Sequence, residues 1–260
     1  MSQPTATVEA EYGDTVIKGI VTTLAHHANE YKDYPAPCNA PDVPVLVDGG
    51  NILVSHIDLD TVGGVAALLG IKPNDDKFWE AAEFIDLNGA HHLHQVPDQA
   101  GKLNAYWAWA ASLAPVRYTD ATDVSMLIHS HIDTIQRIID GDTDLLSKGE
   151  QWAEERISRQ ESCLVQESDK LRVFVTDDFR RQIPSAYYSP NLGKVVPIVV
   201  TLNTATGAIT LSCADSSINA KGIMQSIFGP EAGGHNSIAG SPRGQRAGLE
   251  ELLRLVKYIE

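Results

Sequence analysis

The chain has 260 residues and a mass of 28.2 kDa, enough for one large domain or two ordinary ones that need no disulfide or metal to fold. Hydrophobic residues make up 43% and charged residues 21%, and no apolar run approaches the roughly 18 residues that a membrane span requires. The formal charge is −14, so a long nucleic acid would meet a repulsive field. We expect a small-molecule substrate rather than a long nucleic acid, and no membrane partner, and the sequence leaves a homo-oligomer open.

The cysteines bear on the compartment in which the protein works. Cys38, Cys163 and Cys213 are far apart in the sequence and form no C-x-x-C pair. An odd number of scattered thiols favours a reducing compartment. Residues 1–11 contain neither a basic segment nor an apolar stretch of the kind that directs export. We therefore expect a cytoplasmic location.

The first half of the chain alternates between short apolar runs and helical patterns. Residues 15–24 alternate around β-branched side chains and predict a strand, 34–44 is Pro-rich and predicts a surface loop, and 51–54 is typical of a buried parallel strand. Helical patterns follow at 62–69, 78–84, 103–113 and 123–139. This alternation predicts an α/β domain over about the first 150 residues.

The second half begins with a charged stretch and becomes rich in β-branched residues. Within 144–169, Trp152, Ile157 and Leu164 are spaced for one face of an amphipathic helix, which is typical of a connector between domains. Strands are predicted at 172–176, 195–202 and 209–211, with a hairpin turn at 204–207. A glycine-rich loop and a helix over 246–258 follow. We place the domain boundary inside the connector.

Chemistry-bearing side chains are densest where the strand at 51–54 gives way to a helix. Ligands of open α/β sheets bind outside the carboxyl ends of strands. Alternate residues of an extended segment point the same way, so His56, Asp58 and Asp60 are placed to face one cleft. Because packed carboxylates raise one another's pKa unless a cation lies between them, the segment predicts a divalent-ion site. An Asp-rich turn that caps the next helix would explain the same residues.

A second cluster contains three of the nine histidines within four positions, His91, His92 and His94. Adjacent imidazoles are unusual in a protein core, because each buried ring nitrogen needs a hydrogen-bond partner. The cluster therefore indicates metal ligation or phosphate contact. An exposed polar loop before Pro97 is the alternative.

Other candidates are weaker when taken singly. Asp133 lies on the polar face of the helix predicted over 123–139, which suits either a metal ligand or a solvated surface. His131, and the early pair His26 and His27, are expected to be structural.

The glycine-rich segment 231–244 has the composition of an anion-binding loop. Glycines let the backbone approach a ligand and point amides at an anion, while His235 and Arg243 supply charge-assisted donors. A phosphate group would suit such a loop. A flexible loop without a ligand has the same composition.

These motifs occur in the order found in the DHH phosphoesterase superfamily with its DHH-associated C-terminal domain. The matching segments are the His-x-Asp-x-Asp pattern at 56–60, the His pair at 91–92 and the Gly-Gly-His pattern at 233–235. Ile238 stands where the C-terminal signature has alanine. The chain resembles a divergent member of this superfamily from about residue 51 onward.

The resemblance implies a two-domain α/β fold with an active-site cleft between the domains. A parallel-sheet, DHH-like catalytic domain would occupy 1–160, and a smaller α/β, DHH-associated domain would occupy 161–260. The implied metal ligands are His56, Asp58, Asp60, Asp86, His91 and Asp133. The implied substrate-binding residues are Gly233, Gly234, His235, Ser237 and Arg243. Asp58 and His92 would serve catalysis, His92 by stabilising developing charge or protonating the leaving group.

The implied activity is metal-dependent hydrolysis of a phosphodiester or phosphoanhydride bond in a small, nucleotide-like substrate. Manganese is the expected ion, with iron, cobalt or zinc as alternatives. Ala90 stands where the family has aspartate before its His pair, so Asp86 or His94 would replace a missing carboxylate. Two other functions stay open: hydrolysis of a non-phosphate small molecule on the altered site, and non-catalytic sensing of a nucleotide.

Overall fold

The computed structural model describes residues 5–11, 20, 22–26, 31, 33–46, 50–113, 122–177 and 186–260. The chain divides into two compact units, Met1–Glu154 and Glu155–Glu260, and the predicted division after residue 160 lies in the same helix as this boundary. Both units combine strands with helices, which confirms the α/β class. Among the described residues, no helix has the length and apolar character needed to cross a membrane.

A three-stranded parallel sheet carries the first unit. Strands β1 (Ala6–Val8), β2 (Thr22–Leu24) and β3 (Ile52–Val54) pair in the order β2-β1-β3, with both pairings parallel. The predicted parallel sheet is thus confirmed, and the apolar run at 51–54 supplies one of its strands. Of the strand predicted over 15–24, residues 15–19 and 21 lie outside the described part of the chain.

Helices follow this sheet in the chain, and the buried core that they form with it includes Ala6 and Val8 of β1. Leu53 of β3 remains exposed. The helices are α1 (Leu59–Leu68), α2 (Asp76–Asn88), α3 (Pro97–Ser112), α4 (Ser125–Ile139) and α5 (Thr143–Glu161), with 3₁₀ turns at Pro37–Asn39 and Ala90–Gln95. Asp58 and Asp75 cap α1 and α2 by accepting the backbone N–H groups of Thr61 and Phe78. Helix α3 begins earlier than predicted, because Pro97 suits the first position of a helix.

Two glycines let α1 lie directly against the 3₁₀ turn Pro37–Asn39. A Cβ atom added at Gly63 would meet the Cβ of Cys38 at 2.5 Å and the Cζ3 of Trp79 at 2.7 Å. One added at Gly64 would meet the Cβ of Pro37 at 2.9 Å. No side chain fits at these distances, so the glycines set how closely helix and turn approach.

The second unit contains a six-stranded mixed sheet with strand order β10-β11-β9-β8-β5-β4. Its strands are β4 (Leu164–Glu167), β5 (Leu171–Thr176), β8 (Ile198–Asn203), β9 (Ala208–Cys213), β10 (Gly233–Gly234) and β11 (Ile238–Gly240), while β6 (Tyr188–Ser189) and β7 (Lys194–Val195) form a separate ribbon. Only β5 and β8 pair in parallel. Helices α6 (Ala220–Phe228) and α7 (Leu249–Ile259) complete the unit.

The predicted β-rich character of this unit and its hairpin are confirmed, whereas two strands differ from the prediction. The hairpin expected at 204–207 joins β8 to β9, with Gly207 at φ +72°. The strand expected over 195–202 is divided at Pro197, between β7 and β8. The second difference is β4: the sequence pattern places its first residue, Leu164, on the face of the connector helix, whereas the structure places it in a strand.

Candidate metal centre

A buried cluster of three ligand-type side chains lies in the first unit. Glu9 follows β1, His26 follows β2, and Asp60 lies in the first turn of α1, after β3. The carboxyl ends of parallel strands meet at one edge of a sheet, which brings the three residues together. Their exposed fractions are 1%, 8% and 4%, and one ligand atom from each lies within 4.8 Å of the others.

The imidazole of His26 is the centre of this cluster. Its Nε2 atom lies 3.1 Å from Asp86 Oδ2, 3.7 Å from Asp60 Oδ2 and 3.8 Å from Glu9 Oε1. Asp86 comes from α2 and lies beside the cluster of Glu9, His26 and Asp60. It is more exposed than these three residues, with 26% of its side chain accessible. A single ring nitrogen therefore faces three carboxylates.

Asp60 is held through one carboxylate oxygen. Its Oδ1 accepts the backbone N–H of Cys38 at 2.8 Å, whereas its buried Oδ2 has no hydrogen-bond partner within the described chain. An anionic oxygen removed from water without a partner is costly, and a cation is the usual remedy. The residues at this position therefore fit a metal ion.

Burial and the closeness of the carboxylates also shift the pKa values of the cluster. Burial, followed by the charge of Asp60, raises the pKa of Glu9 from 4.5 to about 7. Burial is also the main cause that raises the pKa of Asp60 from 3.8 to about 6. The hydrogen bond with Asp86 raises the pKa of His26. Without an ion, the site retains protons to reduce repulsion among its carboxylates.

The donor set defines which ions the cluster suits. Coordination bonds of about 2.0 to 2.2 Å to nitrogen and oxygen place neighbouring ligands roughly 3 to 3.5 Å apart. The separations of 3.1 to 3.8 Å around His26 Nε2 are close to that spacing. One imidazole with several carboxylates suits manganese, iron or zinc. The chemistry of the site thus allows a metal without selecting one.

The backbone of Glu9 adopts an unusual conformation. Its φ angle is +51°, in the left-handed region that side chains other than glycine seldom occupy. Such residues persist where the surrounding structure fixes them, and they concentrate at functional sites. Here the conformation directs a carboxylate into the buried cluster immediately after β1.

Of the residues predicted to bind metal, Asp60 and Asp86 are brought together. His56 and Asp58 instead form an ion pair beside the cluster, with Nε2 and Oδ2 separated by 2.9 Å. Burial opposes ionisation of Asp58, but hydrogen bonds from His56 and Thr61 leave its pKa below the ordinary value. Asp58 is therefore an ionised helix cap.

Both ring nitrogens of His56 are engaged in this arrangement. Ser55 Oγ donates its single proton to the carbonyl of Glu9, so the contact of 2.7 Å between His56 Nδ1 and Ser55 Oγ requires the imidazole as donor. Since ionised Asp58 only accepts, Nε2 must also carry a proton. His56 is then an imidazolium, in agreement with its raised pKa, which the Asp58 hydrogen bond chiefly causes. Metal ligation by His56 would require loss of one of these contacts.

The other predicted ligands contribute no atom to the buried cluster as the structure describes it. His91, His92 and His94 lie on the 3₁₀ segment, with the rings of His91 and His92 centred 4.3 Å apart. Burial, together with the charge of His92, lowers the pKa of His91 to about 4, and this neutral form is the one that binds metals. Asp133 is exposed on α4. Ligation by His91 and Asp133 stays a prediction.

Sequence reasoning did not single out Glu9 and expected His26 to be structural, whereas the structure places both residues in the buried cluster. His26 follows a β-branched strand, β2, so the rule that site residues follow parallel strands could have found it. Strand β1 has three residues, too few for a periodic pattern. Glu9 therefore carried no signal.

In the second unit, the glycine-rich loop is a tight β-hairpin. Gly233 and Gly234 form β10 opposite Gly240 and Ala239, and the backbone N–H of His235 donates to Ile238 at 2.7 Å. A cavity of about 490 Å³ is lined by Ser216, Lys221, Gly234, His235, Asn236 and Ser237. A second cavity, of about 570 Å³, contains Arg243 and Glu231. His235 and Arg243, predicted to hold one anion, thus line different cavities.

Comparisons with known proteins leave the family unassigned. No protein-family model matches the chain, and no curated protein matches it. A similar solved structure is an uncharacterized protein from Helicobacter pylori G27, with 14% identity over 70% of this chain and 53% of that chain, and a TM-score of 0.27. The chain spans about half the length of this neighbour. The resemblance to the DHH superfamily remains a prediction.

Proposed function

We propose that the protein is a metal-dependent hydrolase of a phosphodiester or phosphoanhydride bond in a small, nucleotide-like substrate. The observation that carries the proposed metal centre is the buried Oδ2 of Asp60, which faces His26 Nε2 at 3.7 Å and accepts no hydrogen bond from the described residues. The reaction class comes from the resemblance of the motifs around Asp60, the His pair and the Gly-Gly-His loop to the DHH superfamily. Manganese is the proposed ion.

Glu9, His26, Asp60 and Asp86 would hold the ion. A bound divalent ion lowers the pKa of a coordinated water and polarises a phosphoryl group. The imidazolium of His56 lies next to Ser55, which bonds the Glu9 carbonyl, and would stabilise negative charge on the substrate. His92 remains the proposed proton donor to the leaving group, and His235 the proposed anion contact.

Replacing a single atom of Asp60 tests the proposal. Asp60→Asn keeps the shape of the side chain but removes its charge, so we expect loss of the bound ion and at least a 100-fold loss of manganese-dependent turnover. Bound metal is measured by elemental analysis, and turnover with bis(p-nitrophenyl) phosphate. Glu80→Gln is the matched control, because it removes the charge of an exposed carboxylate outside the buried cluster and should change neither quantity. Asp133→Asn separately tests the further ligand that the family resemblance implies.

The outcomes separate the competing functions. Loss of metal in Asp133→Asn as well as in Asp60→Asn, with Glu80→Gln unchanged, would show that Asp133 also ligates, as the family resemblance implies. A wild-type protein that holds metal but hydrolyses no phosphodiester would favour a non-phosphate substrate. A wild-type protein that binds no divalent ion would defeat the proposed centre and favour a nucleotide sensor.

A further inference from the structure

We propose that Glu83 is a positioning residue for this centre, because it holds the 3₁₀ turn Pro37–Asn39 where the Cys38 N–H can bind Asp60. The inference rests on the proposed function only for its effect on metal binding. The link between Glu83 and Asp60 stands on hydrogen bonds alone.

Glu83 spans the turn with both carboxylate oxygens. Oε1 accepts the backbone N–H of Ala36 at 3.2 Å, and Oε2 accepts the side-chain amide of Asn39 at 2.8 Å. These two residues flank the segment that contains Cys38. A charged acceptor with two donors from one turn fixes that turn more firmly than a single neutral bond would.

Cys38 transmits this constraint to the cluster. It is fully buried, and its backbone N–H donates to Asp60 Oδ1 at 2.8 Å. With Oδ1 fixed, the rotation of the carboxylate is fixed, and Oδ2 is directed toward His26 Nε2 at 3.7 Å. A ligand carboxylate whose second oxygen is held in this way binds metal with less loss of freedom.

Two features make the turn an effective support. The close approach at Gly63 leaves little space for the turn to shift along α1. Helix α2 carries Glu83 and, one turn later, Asp86, which contacts His26 directly. One helix therefore places a proposed ligand and fixes the orientation of another through the turn.

The experiment measures the hydrogen bond and the ion separately. Amide hydrogen exchange at Cys38 is followed by NMR in ion-free protein, and the affinity for Mn²⁺ is measured by titration. In Glu83→Ala, we expect at least about tenfold faster exchange at Cys38 and about tenfold weaker Mn²⁺ binding, in the range found for outer supports of metal ligands. Glu83→Gln retains an acceptor oxygen and should restore part of both quantities.

The control is Glu80→Ala, which removes an exposed carboxylate from the same helix and should change neither quantity. Asn39→Ala removes only the turn side of the contact, so it tests the link should Glu83→Ala not fold. It should act in the same direction with a smaller effect. Combining the two changes should add little to Glu83→Ala, because both break one network.

Unchanged Cys38 exchange in Glu83→Ala or, should that variant not fold, in Asn39→Ala would overturn the proposal. So would faster exchange with unchanged Mn²⁺ affinity, since the turn would then have no bearing on the centre. Failure of the proposed function looks different. In that case the wild type would bind no Mn²⁺, and Glu83→Ala would still accelerate exchange at Cys38.

Discussion

The imidazole of His26 can accommodate the negative charge of the neighbouring carboxylates in two ways. Its Nε2 faces the carboxylates of Glu9, Asp60 and Asp86. As an imidazolium, it offsets part of their charge. As a neutral ligand, it would share a divalent ion with them, and protons would leave the site when the ion enters.

The folded protein should lose stability as pH rises when no ion is present. The pKa of Glu9 rises from 4.5 to about 7 and that of Asp60 from 3.8 to about 6, so the folded state binds more protons than the unfolded state across that window. The raised pKa of His26 acts in the same direction. A difference of one pH unit between a group's pKa in the folded and in the unfolded protein changes the free energy of unfolding by about 1.4 kcal/mol.

Thermal unfolding in a chelator at pH 5.5 and pH 8 tests this expectation. The midpoint should be lower at pH 8, and Mn²⁺ should reduce the difference because the ion replaces the lost protons. The Glu80→Gln variant should follow the wild type. A midpoint in chelator that rises between the two pH values would contradict the assigned ionisation.

At the level of elements, the Gly63-Gly64 pair in α1 serves packing. In the structure both glycines lie inside a helix, where they admit the turn Pro37–Asn39. Their contribution to the site is indirect, through the position of Cys38.

Replacing helical glycines with alanine should therefore have opposite effects at two positions. Gly101 lies in α3 with nothing within 4 Å of an added Cβ, so alanine should stabilise the fold by about 1 kcal/mol through helix propensity. At Gly63, contacts of 2.5 to 2.7 Å would force helix and turn apart, at a net cost of about 1 to 3 kcal/mol. Urea unfolding measures both, and equal stabilisation by the two changes would refute the packing argument.

The sequence predicts strongly periodic elements better than short ones. Helix α4 carries a clear apolar face and was predicted to within two residues at its start. Strands β1 and β3 each have three residues; the sequence indicates β3 by its continuous apolar run, whereas β1 contains a threonine between its apolar residues and gives no such signal. The site shows the same division: Asp60 and Asp86 belong to recognisable motifs, but Glu9 depends on a strand that local sequence does not reveal.

At the scale of the whole molecule, the candidate metal centre and the glycine-rich hairpin belong to different units. Glu9, His26, Asp60 and Asp86 all lie in Met1–Glu154, and the hairpin of β10 and β11 lies in Glu155–Glu260. Each unit has its own buried core. Ligand binding at one site can therefore be assigned to a unit by experiment.

Hydrogen exchange of the full chain, measured by mass spectrometry, should show which unit the ion stabilises. Added Mn²⁺ should slow exchange in peptides that cover 5–11, 22–26 and 56–86, because binding stabilises only the folded form of the unit that contains them. Peptides from 155–260 should not respond. Protection confined to the second unit would place the ion elsewhere.

The order of the cluster residues along the chain has a consequence for folding. The ligands extend from Glu9 to Asp86, so they meet only after strands and helices distant in sequence have assembled. We therefore expect a complete site only late in folding. The ion would be acquired after the folding barrier is crossed, and its contribution would be a longer lifetime of the native state rather than faster folding.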